Sequence, residues 1–157
     1  FPAYGGSGKY IAFLQNELQP WIASHYKING KRTVIGESLA GLLATEILLK
    51  HRALFDTYII ISPSLWWGDG SLLKQAPALL EKEKNVNTKV YVGACNKDED
   101  ARMYEDAVSL AELLKKEGGS GMEVYYDYLP GELHSTMMHQ AVYNAFKLIY
   151  PHTEYQK

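Results

Sequence analysis

The segment Thr33-Val-Ile-Gly-Glu-Ser-Leu-Ala-Gly41 sets a serine between small residues where an apolar run gives way to a helical pattern. In a turn of this kind a strand ends, a strained backbone holds the hydroxyl at its tip, and a helix begins at once. Ser38 is therefore a candidate nucleophile. Strand and helix approach closely at such a turn, so the positions two before and two after the serine must be small. Gly36 and Ala40 meet that need, although Gly is the commoner choice where Ala40 stands. The helix beginning just after Ser38 points its N-terminus at the reacting centre, which favours developing negative charge. The competing role for Ser38 is a helix N-cap, a common structural use of serine.

A nucleophilic serine needs a base, and where a serine follows such a strand-to-helix turn the histidine comes last in chain order. Five histidines compete. His25 lies near the end of the first helical pattern and His51 just past the second, and both read as surface or C-capping residues. His139 falls inside the last helix, and His152 follows it in the tail. His134 lies instead in the loop Pro130-Gly-Glu-Leu-His-Ser135, between an extended segment and the last helix. In a parallel sheet this puts it at the same edge as Ser38.

A third group would hold the imidazole in the right tautomer and stabilise its charged form. The loop after Val90-Tyr-Val-Gly-Ala94 offers Asp98, Glu99 and Asp100. Asp98 is the first choice, with Glu99 and Asp100 as alternatives. Three adjacent acids also describe an ordinary solvated loop or a helix N-terminus.

The elements that must position these residues follow from periodicity. Apolar residues at helical spacing predict a helix from Lys9 to Tyr26, kinked or restarted at Pro20. Asn29-Gly30 is a turn signal leading into a short buried strand at Arg32–Gly36. A helix follows from Ser38 to Lys50, then a strand from Phe55 to Ser62, uniformly apolar as a strand covered on both faces should be. A helix from Ser71 to Lys84 should be broken by Pro77. A strand from Thr88 to Ala94, an amphipathic helix from Ala101 to Lys116, a strand from Met122 to Leu129 and a helix from Ser135 to Tyr150 complete the chain. Strands separated by helical crossovers imply an α/β fold with a mostly parallel sheet and helices on both faces.

Composition agrees with one globular unit and excludes several functions. The chain has 157 residues, enough for one sizeable core but too few for two ordinary domains. A net charge of −2 with no run of Lys or Arg argues against a nucleic-acid partner. No apolar stretch approaches the length needed for a membrane span. The single cysteine, Cys95, rules out an intrachain disulfide and leaves the compartment unassigned, periplasmic, secreted or cytoplasmic. The chain opens at Phe1-Pro-Ala-Tyr4 without a Met, as a processed or truncated product would.

Taken together these residues resemble a known family, the esterases that include enterobactin-esterase-like and feruloyl-esterase-like hydrolases. The resemblance rests on Phe13-Leu-Gln-Asn-Glu-Leu18 before the Asn29-Gly-Lys-Arg32 turn, the elbow Gly36-Glu-Ser-Leu-Ala-Gly41, and Phe55-Asp56 followed by Ile61-Ser-Pro-Ser-Leu-Trp-Trp67. The closing Leu129-Pro-Gly-Glu-Leu-His134 is similar to the family's histidine loop. It implies the C-terminal part of an α/β-hydrolase fold over residues 1–157, hydrolysis of small carboxylic esters, no metal and no organic cofactor. Siderophore-type esters are one implied substrate class. Glu37 replaces the more usual His, and Ala40 the usual Gly.

The resemblance also implies an oxyanion donor at the Leu39 N–H and a second donor from a loop early in the sheet, upstream of this chain. The expected mechanism is acyl transfer to water through an acyl-enzyme on Ser38, with His134 as base and then acid. Trp66 and Trp67 are candidates to flank the cleft and bind an aromatic or acyl group; the alternative is packing under the helices. Acyl transfer to an alcohol, or a non-catalytic binding module on the same fold, are the rival functions. A sheet that begins at the nucleophile strand exposes an edge, which predicts either dimerisation through that edge or poor solubility; a homodimer partner or a missing N-terminal segment is the expectation.

Overall fold

The structure, a computed structural model, describes residues 5–83 and 86–151. The opening Phe1–Tyr4 and the tail carrying His152 lie outside the described residues. Four strands form the described sheet: β1 (Thr33–Ser38), β2 (Thr57–Pro63), β3 (Thr88–Ala94) and β4 (Met122–Tyr128). They lie in the order β1-β2-β3-β4, and every neighbouring pair is parallel. Each crossover is helical, through α3 (Leu39–Lys50), α4 (Trp67–Leu80) and α5 (Ala101–Glu117), and α6 (Met137–Ile149) follows β4.

Side-chain alternation divides the core in two. Tyr58, Ile60, Val90 and Val92 point to one face and pack with Ile47 and Leu48 of α3, Ala76 and Leu80 of α4, and Leu110 and Leu114 of α5. Ile59, Ile61 and Tyr91 point to the other and pack with Met137, Ala141, Ala145 and Ile149 of α6. All seven residues of β2 are buried, as the unbroken apolar run requires of a strand with helices on both faces.

The two prolines behave differently from their sequence reading. The first helical run is continuous from α1 (Ser7–Phe13) through a π-helical turn (Leu14–Leu18) into α2 (Gln19–His25). Pro20 falls at the start of α2, and the wider turn before it, where Gln19 N–H reaches back to Leu14 O, absorbs the proline without breaking the helix. Nor does Pro77 break α4, which runs on to Leu80. Pro77 is exposed on the solvent side, while Ala76 and Leu80 beside it are fully buried and hold the helix to the sheet. The irregularity lies at the other end, where Gly68, Asp69 and Gly70 adopt left-handed angles in succession.

Candidate active site

At the C-terminal end of β1 the chain turns from strand to helix at Ser38, with φ 57° and ψ −120°. An L-residue rarely adopts a positive φ, and such strain persists only where the surroundings enforce it. Ser38 stands at the N-cap position of α3, yet its side chain makes no capping hydrogen bond. The hydroxyl is thus not used as a helix cap.

Two glycines enforce the turn. A Cβ on Gly36 would overlap the Ala40 carbonyl and lie 2.9 Å from Gly41 N. A Cβ on Gly41 would stand 3.1 Å from each of Gly36 O, Ile61 O and Pro63 Cα. The need for small residues therefore falls on Gly36 and Gly41, not on Ala40 as the sequence pattern suggested. Ala40 contributes its carbonyl to the tight contact while its own side chain is exposed, so Ala is tolerated there.

The ladder between β1 and β2 slips at this point, so that Ser38 pairs with Pro63. Past the slip, Ser64 N–H donates to Ser38 O at 3.0 Å, and the two hydroxyls lie 3.2 Å apart. Ser64 is buried. In the sequence it stands in Ser62-Pro-Ser64, three residues whose types and spacing carry no catalytic signal of their own. Leu39 is the first residue of α3, where a backbone N–H has no intrahelical acceptor; its side chain is exposed. Trp66 and Trp67 follow Ser64 at the same sheet end and are 42% and 37% exposed, with ring centroids 5.8 Å apart. Neither is buried under the helices.

His134 reaches this sheet end by a loop that doubles back. Three strand spacings, roughly 14 Å, separate β1 from β4. Leu129 N–H bonds Ala94 O at 2.9 Å, Asn96 N–H bonds Glu132 O at 3.0 Å, and the Asn96 side-chain amide donates to Pro130 O at 2.9 Å. These contacts draw the loop over the end of β3. Beyond it, Met137 packs with Ile59 and Ile61 of β2 and with Cys95. The loop is stiffened internally, because Thr136 Oγ1 donates to Glu132 Oε2 and accepts from Leu133 N–H. Asn96, which ties the two loops, carried no signal in the sequence beyond its place after a strand.

Among the described residues no hydrogen bond joins Ser38 Oγ to the His134 ring, and buried His134 Nδ1 has no hydrogen-bond partner. The three acids take different positions. Asp100 caps α5, accepting from Met103 N–H at 2.9 Å. Asp98 is exposed, and its N–H closes a turn on Asn96 Oδ1 at 2.8 Å. Glu99 Oε2 accepts from the His134 N–H at 2.5 Å. Of the three, Glu99 alone contacts His134, and it does so through the main chain.

The remaining histidines lie apart from this cluster. His25 stacks on Trp21 and bonds Trp21 O, His51 follows α3, and His139 is exposed on α6. Cys95 is buried against the Ser62 hydroxyl at 3.4 Å, and burial pushes its thiol pKa up. Among the described residues no group of three or more His, Cys, Asp or Glu is placed to hold a metal ion, and no helix is long and apolar enough to cross a membrane. A concavity of about 890 Å³ lined by Lys31, Asp56, Thr57, Lys89 and Tyr150 opens at the opposite end of the strands, away from Ser38.

The chain is similar to known proteins over nearly its whole length. The family model described as "Putative esterase" matches residues 1–155. Ferri-bacillibactin esterase BesA of Bacillus subtilis (strain 168) is 30% identical over 152 residues, which cover 94% of this chain and 53% of that protein. An IroE-like serine hydrolase from Shewanella oneidensis superposes with a TM-score of 0.85 at 25% identity, over 93% of this chain and 48% of its own. The BES protein from Bacillus cereus superposes with a TM-score of 0.85 at 28% identity, over 95% of this chain and 56% of its own. The chain thus spans about half the length of this curated relative and of both solved structures. With the family model matching residues 1–155 and the parallel sheet shared with these hydrolases, the chain belongs to the putative esterase family of α/β-hydrolases.

Proposed function

We propose that this chain carries the nucleophile and base of a serine carboxylic-ester hydrolase. The observation that carries the reading is Ser38 itself. It is held at φ 57° between β1 and α3, with its hydroxyl withheld from the capping role its position offers. In this reading Ser38 Oγ attacks an ester carbonyl while His134 takes its proton. The tetrahedral oxyanion is stabilised by the Leu39 N–H at the helix N-terminus, and a second donor comes from outside the described residues. His134 then protonates the leaving alkoxide, and water cleaves the acyl-enzyme by the same groups in reverse.

Glu99 is favoured over Asp98 as the acid that serves His134, because its carboxylate accepts from the histidine's main-chain N–H, whereas the Asp98 contact is a turn closed by its own N–H on Asn96. Trp66 and Trp67, exposed beside the nucleophile, suit an aromatic or planar acyl group. Esters of the siderophore type fit that surface, and the similarity to a ferri-bacillibactin esterase supports them as the substrate class.

The test is labelling by a fluorophosphonate, read by intact mass and peptide mapping, in this chain and in an N-terminally extended form. Modification at Ser38 that is lost in both Ser38→Ala and His134→Ala supports the reading. Absence of modification in both forms overturns it.

A further inference from the structure

We propose that Ser64 is a positioning residue for the nucleophile, its buried hydroxyl donating a hydrogen bond to Ser38 Oγ. The inference rests on the esterase reading above and adds a residue to its machinery. Ser64 Oγ lies 3.2 Å from Ser38 Oγ, and Ser64 is 1% exposed. A hydroxyl sealed from water must place its proton on a protein acceptor. Among the described residues Ser38 Oγ is the side-chain partner of Ser64. Ser38 itself is only half-buried, so its own proton is free to point elsewhere. Burial therefore sets the direction of the bond, from Ser64 to Ser38, and leaves the Ser38 proton available to a base.

The backbone explains how Ser64 comes to that place. The register slip pairs Ser38 with Pro63, which has no N–H to give. Ser62 takes a left-handed φ of 37° and turns its hydroxyl away to Cys95 Sγ. The next residue with a donor is Ser64, and its N–H takes Ser38 O at 3.0 Å. Residue 38 is thus held from one neighbour by both main chain and side chain.

The chemistry gives this bond a function beyond packing. At 3.2 Å it is long for a hydroxyl pair. It shortens and strengthens as Ser38 loses its proton and charge grows on Oγ, since hydrogen bonds to ionised acceptors are roughly twice as strong. An interaction that is stronger at the transition state than at rest raises the rate without tightening ground-state binding.

The test measures fluorophosphonate inactivation, separating the maximal rate from the binding constant, for Ser64→Ala, Ser64→Cys and Ser64→Thr. Ser38 Oγ bonds to phosphorus, fluoride leaves, and the Ser38 proton passes to the base. Ser64→Ala should lower the maximal rate roughly fivefold to tenfold, the worth of one neutral hydrogen bond, and leave the binding constant within about twofold. Ser64→Cys keeps the volume but is a weak donor, so it should be as slow as Ala. Ser64→Thr keeps the hydroxyl and should restore most of the rate; if its extra methyl prevents folding, equal slowness of Ala and Cys still decides for donation. Wild-type labelling with an unchanged rate in Ser64→Ala overturns the proposal alone, as does full recovery in Ser64→Cys, which would assign Ser64 to packing. A wild type that never labels at Ser38 overturns the esterase reading, and this proposal with it.

Discussion

The carbonyl of Ala40 occupies the space where a side chain on Gly36 would begin, so strand β1 and helix α3 close on each other with no room for a single Cβ. Gly36→Ala should therefore force the elbow open. The expected cost is about 3 kcal/mol of stability, measured by urea unfolding, with loss of probe labelling at Ser38. Ala40→Gly, whose side chain is exposed, should cost no more than the few tenths to about 1 kcal/mol typical of glycine in a helix. Equal tolerance of both substitutions would refute the strained turn.

The loop acids separate by position. Glu99→Gln should slow labelling at Ser38 on the order of tenfold to a hundredfold, because the contact that fixes His134 weakens. Asp98→Asn should leave the rate nearly unchanged, because Asp98 is tied only through its N–H to Asn96 and makes no hydrogen bond to His134 among the described residues. Asp100→Ala should cost about 1 kcal/mol through loss of the α5 cap, with the rate per folded molecule retained. A slow Asp98→Asn beside a fast Glu99→Gln would return the triad acid to Asp98.

Asp56 gives a pH signature at the base of the sheet. Burial pushes its carboxyl up, but the Arg32 N–H at 2.9 Å and the Lys31 ammonium at 3.2 Å outweigh that and hold the pKa below the usual range. A lowered folded pKa stabilises the fold above the unfolded value of about 3.9. That contribution is lost as pH falls through the folded pKa. Asp56→Asn should be less stable than the parent at pH 7 by urea unfolding, and the gap should close below about pH 4. A gap independent of pH would show that the hydrogen bonds, and not the charge, hold the turn.

Cys95 lies buried beneath the loop that carries the acids, and burial raises its thiol pKa. A thiol reagent at pH 8 should leave the native chain unmodified and react fully in urea. Native reaction at the unfolded rate would mean that the 95–100 loop opens freely.

Strand β1 forms an edge of the described sheet, and Ile35 on it is 39% exposed. Such an edge favours pairing with a further strand. Light scattering of this chain should show self-association that rises with concentration and disappears in an N-terminally extended form. A monodisperse monomer of 17.7 kDa would argue against pairing between copies.

Much of this protein is determined locally and was legible in sequence. The unbroken apolar run of β2, the helical period of α5 and the turn signals between them specify four strands joined by helices. Right-handed crossovers then leave little choice but a parallel sheet. The strained turn at Ser38 was legible for the same reason, since a strand-to-helix turn with no room for side chains writes itself as small residues at fixed spacing.

What only the tertiary structure decided lies in contacts between segments distant in sequence. Three acids side by side are equivalent as letters. They divide into a cap, an exposed turn residue and a partner of His134 only because α5 begins at residue 101 and the His134 loop folds back over β3. Ala40 and Gly41 exchange roles because the helix phase, not the motif, decides which one faces β2. Ser64, 26 positions on in sequence, gains its place beside Ser38 from a one-residue slip in the ladder between β1 and β2. Periodicity specifies which elements form, but not the register in which they meet, because register is fixed by packing across the sheet.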